Sequence, residues 1–443
     1  MGLWIYRSSI FRYPEKDGQL VSSQSAEDLV PSTVKPWASL AYRDYRLLWG
    51  SNIFAQIGQH MRQLVNYYLV YDITGSTVQL GLTGLFQLIP MLLLGLFGGT
   101  LADLMNRKKL ILITMGAGFL IPLGLWFLAF NETIAVWHIF AAVTVTSFVN
   151  VFGGPARSSM LARTVPKHLL MNAFTINTGS MQSTMLLGPF IAGLVISGMG
   201  VANGYFISAF LFFPAMIGVS LLRISGAPDP EAILKKEPGF RPFVGGVLKS
   251  AWEGARFVWS QRLLMSIFAL DIGVTVVSYF RPLLAAFAKD VYKVGPTHLG
   301  IITASVPLGS ILGATFLLLA SGIRRKGLMI FGATFMYSVC LGLFGLTATF
   351  WVAAISVGAL GFFDSISMTI KHATVQIVTP DHLRGRASSA LSMAAMTANA
   401  SGTLEVGLLA SWVGPQDAML IGSGICLVVV LIGWLTLKTL KNY

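Results

Sequence analysis

What this sequence has least of is charge. Only 11% of its 443 residues are Asp, Glu, Lys or Arg, against roughly 25% in a soluble domain, so a fold bathed in water on every side is excluded. Cysteine is almost absent as well. Cys340 and Cys426 each lie inside an apolar run, which excludes a disulfide framework. The six histidines (His60, His138, His168, His298, His372 and His382) show no metal-ligand spacing, and no G-x-x-x-x-G-K-[ST] loop occurs. No metal, nucleotide or other cofactor is therefore expected. An enzyme would need a clustered nucleophile, base or metal set, and none is found. A membrane-embedded enzyme or sensor is the distant alternative.

What the chain does have is apolar length. It is 54% hydrophobic with a mean hydropathy of +0.71. Spans of ~20 apolar residues cross a bilayer core of ~30 Å. Twelve are read, at 47–71, 77–102, 110–130, 134–156, 170–197, 201–222, 262–288, 298–321, 328–347, 350–370, 386–411 and 416–437. The 46 glycines and 18 prolines fit this class, because small residues let membrane helices pack closely.

The formal net charge of +13 is distributed by topology. With alternating spans and an inner N-terminus, 27 of the 31 Lys and Arg fall in inner segments. Outer loops hold only Lys289 and Lys293, and Arg62 and Arg281 lie within spans. This positive-inside bias places both termini in the cytoplasm and the protein in the plasma (inner) membrane as a multi-pass chain. Membrane lipid, not nucleic acid, is the partner that the basic charge implies.

Self-comparison reveals a repeat. "NRKKLILI" (106–113) matches "IRRKGLMI" (323–330) at an offset of 217. "VPKHL" (165–169) matches "TPDHL" (379–383), and "GPFIAGLVIS" (188–197) matches "GTLEVGLLAS" (402–411), both at 214. Gly81 and Gly300 fall alike, as do Pro90 and Pro307. Two six-span halves that both start inside are parallel repeats. The domains expected are a disordered tail (1–42), an N-terminal bundle (43–222), a cytoplasmic linker (223–261) and a C-terminal bundle with a short tail (262–443). In the linker, Val244, Leu248, Trp252, Ala255 and Trp259 have the spacing of an amphipathic helix. Such a helix either lies in the inner interface or packs on the bundle.

The stretch "GGTLADLMNRKKLI" (98–111) interrupts two apolar blocks with an acid and three cations. With twelve spans in two repeats, it resembles the loop signature of the major facilitator superfamily. Gly99, Leu101, Ala102, Asp103, Arg107 and Lys108 match; Leu104 and Asn106 replace the usual Arg and Gly. "YRDYRLLWGSNIFAQIG" and "VTPDHLRGRASSA" look like the branch with enterobactin exporters and macrolide efflux pumps. The resemblance implies an all-α fold of twelve transmembrane helices in two parallel six-helix repeats. It also implies rocking of two bundles around a small-molecule substrate, by a chain expected to act as a monomer. Gly99, Asp103, Arg107 and Lys108 would form a conformational latch at the inner face, biasing a two-state equilibrium. "GPFIAG" (188–193) resembles the motif of proton-coupled exporters, with Gly188, Pro189 and Gly193 forming a helix-bend element.

Polar residues within spans mark a path. Asn52, Gln56, Gln59, Gln63 and Asn66 share one face of the first span, with Arg62 at its margin. The amides either glue helices together or line water. Thr275 and Ser278 on span seven, Arg281 near its end, and Met396 and Asn399 on span eleven extend the candidate cavity. Mixed amides, hydroxyls and Met suit an amphipathic, drug-like or siderophore-like molecule. Arg62 and Arg281 either bind an anionic group or neutralise acids. A proton carrier needs a carboxyl whose proton affinity differs between two states. Asp364, matched in the first half by Asn150, is the first candidate and Asp271 the second. Glu405, whose repeat partner is the apolar Ile191, is placed near the exit. The expected activity is proton-coupled export; a lipid or lysolipid flippase and an uncoupled facilitator are the alternatives.

The topology is checked with single cysteines. Those replacing Glu132, Val201 or Gln416 should react with an impermeant maleimide on intact cells, and those replacing Lys108, Lys236 or Arg325 should not. External labelling at 236 would overturn the two-repeat assignment.

Overall fold

A computed structural model describes residues 35–227, 252–253, 256–320 and 325–441, and the side chains of 96–104, 381–391 and 438 lie outside the description. The long helices, in chain order, begin with α1 (Arg43–Thr74), α2 (Thr77–Leu104), α3 (Arg107–Phe130), α4 (Val136–Arg163) and α5 (Leu170–Met199). Next comes α6, in two abutting segments, Val201–Phe210 and Phe212–Ser220. The second half holds α7 (Arg262–Val277), α8 (Pro296–Leu319), α9 (Lys326–Leu346), α10 (Phe350–Val378), α11 (Asp381–Val413) and α12 (Pro415–Thr436). Among the described residues there is no strand. Among the described residues, ten segments are long and apolar enough to cross a membrane. The two long helices outside that set are α1 and α11; in α1 the amides and charges hold down the hydropathy of a helix 32 residues long.

Local chemistry sets the helix ends. Ser76 caps α2 by accepting from the Gln79 N–H at 3.4 Å, and the Asn106 side chain caps α3 by accepting from the Lys109 N–H at 3.1 Å. Helices α5 and α11 both stop at a glycine with positive φ, Gly200 (φ 87°, ψ 165°) and Gly414 (φ 89°, ψ 161°). These positions differ by 214 residues, the offset of the sequence repeat. A side chain would be strained at both.

Several observed ends differ from the apolar runs. Helix α4 continues past 156 to Arg163, and α10 past 370 to Val378. Arg157 and Lys371, counted with the inner loops by their charge, therefore stand inside helices. A helix with one face on a polar cavity carries charge without ending. Span seven also departs from expectation. Its helix breaks at Ser278–Phe280 and resumes as short turns over Arg281–Val291. Pro282, which has no N–H to give, follows the break.

The core is divided unequally between the two ends of the bundle. At the end where α1 begins and α12 finishes, here called proximal, there are two separate clusters. One holds Tyr45, Leu48, Ile111, Met160 and Phe212 from the first half. The other holds Leu264, Ile267, Phe331 and Val430 from the second. At the opposite, distal end a single cluster joins both halves, with Val65, Leu80 and Ile196 packed alongside Leu283, Phe287, Ile302 and Val406.

Glycine makes that distal junction possible. A Cβ on Gly407 of α11 would lie 2.6 Å from the Gly81 Cα and from the Thr77 carbonyl of α2. A Cβ on Gly193 of α5 would lie 2.9 Å from the Gly300 Cα of α8 and 2.6 Å from the Pro296 carbonyl. Real side chains do not fit in such gaps, so each pair of helices meets backbone to backbone. Two polar pairs cross the same end: the Tyr71 hydroxyl donates to the Asp290 carboxylate, and Lys289 Nζ lies 2.7 Å from Asp72.

The linker helix falls largely outside the described residues, as do Val244, Leu248 and Ala255. Trp252 and Trp259 are described: both are exposed, with their rings edge to face at 5.7 Å.

Substituting Gly407 with Val should push α2 and α11 apart and part the distal end. Spin labels at Asn131 and Thr347, on distal loops of the two halves, should show a longer distance by several ångströms. An unchanged distance distribution would mean that the glycine contact does not hold this end shut.

Candidate functional site

Each half lines cavities of its own, and one small space lies between the two. One in the second half, of about 270 Å³, is walled mainly by α7, α10 and α11. Helix α7 contributes Asp271 and Thr275 from one face, Ser278 follows at the break, and the turn beyond it delivers Arg281 to the same wall. Such breaks are tolerated at membrane depth where the freed backbone lines a cavity. Part of the freed backbone is met by Tyr337, whose hydroxyl lies 3.4 Å from the Ser278 carbonyl. Helix α11 adds Asn399. Met396 is 53% exposed but is not on this wall.

Charges in this cavity are arranged unequally. Asp271 and Lys371 form an ion pair at 2.7 Å, with side chains only about one-twentieth exposed. Lys371 was not visible as a cavity residue in the sequence, because it follows the last apolar residue of its run. Its one signal was the spacing Asp364 to Lys371, two helical turns on one face of α10. Asp364 lies on the same cavity wall, and its side chain is accessible there. Glu405 is half-buried on α11, with one carboxylate oxygen buried and without a hydrogen-bond partner.

The amide stripe of α1 is divided between two cavities of the first half. Asn52 and Gln56 line one of about 320 Å³, together with Arg157 of α4. Trp49 shapes its edge by donating from Nε1 to the Ser180 hydroxyl at 2.7 Å. Gln59, Arg62, Gln63 and Asn66 line a second, of about 90 Å³, opposite Gln87 and Asn150. Asn66 is also a packing group, since its Oδ1 accepts from the buried Tyr205 hydroxyl at 2.9 Å. A small space of about 40 Å³ lies between the halves, with Gln63 on one side and Arg281 on the other.

The motif residues have definite places. Helix α5 runs unbroken through Pro189. Gly188 presents bare backbone to α1, where a Cβ would lie 3.1 Å from the Ile57 carbonyl, and Gly193 does the same to α8. At the proximal face, Lys108 Nζ donates to the Ser220 and Leu222 carbonyls at 2.9 and 2.8 Å, tying α3 to the end of α6. The Arg107 N–H donates to the Gly226 carbonyl at 2.7 Å, and its side chain is buried. Gly99 and Asp103 lie on the last turns of α2, and their side chains are outside the described residues.

A family model described as transmembrane secretion effector, MFS_3, matches residues 34–442. The chain belongs to this family of major facilitator transporters. The enterobactin exporter EntS of Escherichia coli K12 is 27% identical over 374 residues, covering 84% of this chain and 86% of the exporter. Among solved structures, a peptide transporter POT in complex with sulfate superposes with a TM-score of 0.70 at 13% identity, over 95% of this chain and 99% of that one. The nucleoside transporter NupG superposes with a TM-score of 0.67 at 14% identity, over 90% and 99%. At such identities these structures share the fold. This transporter is thus a multi-pass membrane protein, and not an enzyme.

The Asp271–Lys371 pair has a thermodynamic signature. Removing one partner strands a buried charge, which costs on the order of 3–5 kcal/mol, whereas replacing both with apolar groups is often neutral. Lys371→Met should therefore lower the melting temperature of the purified transporter markedly, and Asp271→Leu in the same chain should restore most of the loss. Equal damage from the single and double variants would count against a buried pair.

Proposed function

We propose that the chain exports amphipathic small molecules across the inner membrane in exchange for protons. It does so by alternating access between two parallel six-helix repeats, twelve spans in all. Three matched features support the repeat. The glycines that meet at the distal end, Gly81 with Gly407 and Gly300 with Gly193, are repeat copies of one another (407 minus 193 is 214, 300 minus 81 is 219). The paired caps Gly200 and Gly414 follow the same offset.

With the termini cytoplasmic, as the positive-inside bias favours, the distal end faces outward. The arrangement described is then the inward-open one, with the outer gate shut by glycine contacts and the inner face parted. In this state Lys108 holds the end of α6 of its own half. A latch of this kind spans the halves only when the inner face closes. The export direction draws support from the enterobactin exporter relatives.

The observation that carries proton coupling is the division of labour between two acids. Asp271 is already paired with Lys371, while Asp364 faces the cavity with its side chain accessible. Outward-facing, Asp364 takes a proton; inward-facing, it releases the proton to cytoplasmic water as substrate enters. No bound group beyond the proton gradient is required.

The test starts with an efflux-deficient host, in which a panel of amphipathic compounds identifies a substrate by altered sensitivity. In proteoliposomes, Asp364→Asn should abolish accumulation of that substrate driven by a pH gradient, while counterflow exchange persists. A variant that still accumulates substrate under a pH gradient alone would exclude Asp364, and a wild type indifferent to the gradient would make the protein an uncoupled facilitator.

A further inference from the structure

The two halves surround a repeat-related arginine in opposite ways. Arg62 and Arg281 are separated by 219 residues, the offset that also relates Gly81 to Gly300. Asn150 and Asp364 are separated by 214, the offset of the later segments. In the second half, Arg281 shares its cavity with two carboxylates, Asp271 and Asp364. In the first half, Arg62 faces Asn150, an amide of nearly the same shape that carries no charge.

Arg62 is consequently a cation without a counter-ion. It is 6% exposed, and its Nη1 is buried with no hydrogen-bond partner. Among the described residues no carboxylate pairs with it, and neither first-half cavity has an acid on its wall. Arg157, in the neighbouring cavity, also leaves its Nε buried and unpartnered. A guanidinium nitrogen that is buried with neither water nor an anion against it is unfavourable. That penalty is recovered when an anion arrives, because charge-assisted and bidentate bonds to an oxyanion are the strongest that Arg makes.

The space beside it matches that role. The cavity holds about 90 Å³, the share of roughly three waters in the liquid. A carboxylate- or phosphate-sized group fits beside the guanidinium. Gln59 and Gln63 flank the guanidinium with amide donors for the remaining oxygen lone pairs. Gln63 and Tyr67 are shared with the small space that reaches Arg281, so a head group at Arg62 leaves its body directed toward the second-half cavity.

We propose that the Arg62 cavity is an anion subsite that takes the oxyanion head group, a carboxylate or phosphate, of the transported molecule. The proposal rests on the transport reading for the identity of the ligand, but it is tested by equilibrium binding, which needs neither a gradient nor turnover. Failure of proton coupling would leave that measurement untouched.

Thermal unfolding of the full-length purified chain is followed with benzoate and with the isosteric neutral benzamide at equal millimolar concentration. Benzoate should raise the melting temperature and benzamide should not. Arg62→Gln should abolish the benzoate shift and, without ligand, should melt no lower than wild type, because it removes an unpaired buried charge. Asn150→Asp, which copies the second half's arrangement, should raise the ligand-free melting temperature and lower benzoate affinity at least tenfold. A wild type with no benzoate-specific shift, a shift that survives in Arg62→Gln, or an Arg62→Gln chain that melts well below wild type would each overturn the proposal.

Discussion

Backbone contact between glycines is the constraint on which the rest of this transporter depends. Gly81 against Gly407 and Gly193 against Gly300 bring helices of opposite halves closer than any side chain permits. Around these contacts the distal cluster forms, and because the halves converge there they diverge toward the other end, leaving the cavities. The crossing pairs at the same end contribute less. Lys289 and Asp72 are each nearly half exposed, and an exposed ion pair adds only about 0–1 kcal/mol. The closed end is therefore a packing device in which the polar pairs set alignment. Packed interfaces of this kind hold discrete arrangements instead of deforming gradually, which is what a two-state carrier requires.

The halves have diverged in charge while keeping their shape. The second half has become an electrostatically balanced chamber, with two acids and two bases around one cavity. The first half retains amides on α1 and cations at Arg62 and Arg157, with no acid on either cavity wall. A molecule spanning both cavities meets hydrogen-bond donors and positive charge on one side and a titratable carboxyl on the other. The titratable carboxyls and the cations without acids thus lie on different walls.

Much of this was legible in the sequence, for definable reasons. Low charge and long apolar runs demanded a helical membrane protein. The stripe from Asn52 to Asn66 was readable because five amides at helical spacing share one face, and a face that polar at membrane depth needs water or partners. All five line cavities, and Asn66 is also a packing group. Lys371 and Arg157 read as loop residues because an apolar run ends at its last greasy residue, whereas a cavity-lining helix continues. The break in α7 was hidden for a related reason: Ser278–Phe280 is no more polar than its surroundings, and only Pro282 marked it. The Tyr71–Asp290 and Asp72–Lys289 pairs join residues about half the chain apart, and no local pattern announces a partner at that distance.

The break in α7 has a mechanical consequence. An unbroken helix is a rod, and every charge on it keeps a fixed separation from every other. With the chain interrupted at Ser278–Phe280, Asp271 rides on the proximal rod and Arg281 on the turns beyond the joint. The distal turns carry Asp290, which is tied to Tyr71 of the opposite half. Any displacement of that half at the distal end pulls on the turns holding Arg281 before it pulls on Asp271. The joint thus leaves the distance between two charges on one cavity wall free to change with the distal turns, a lever whose load is the local electric field.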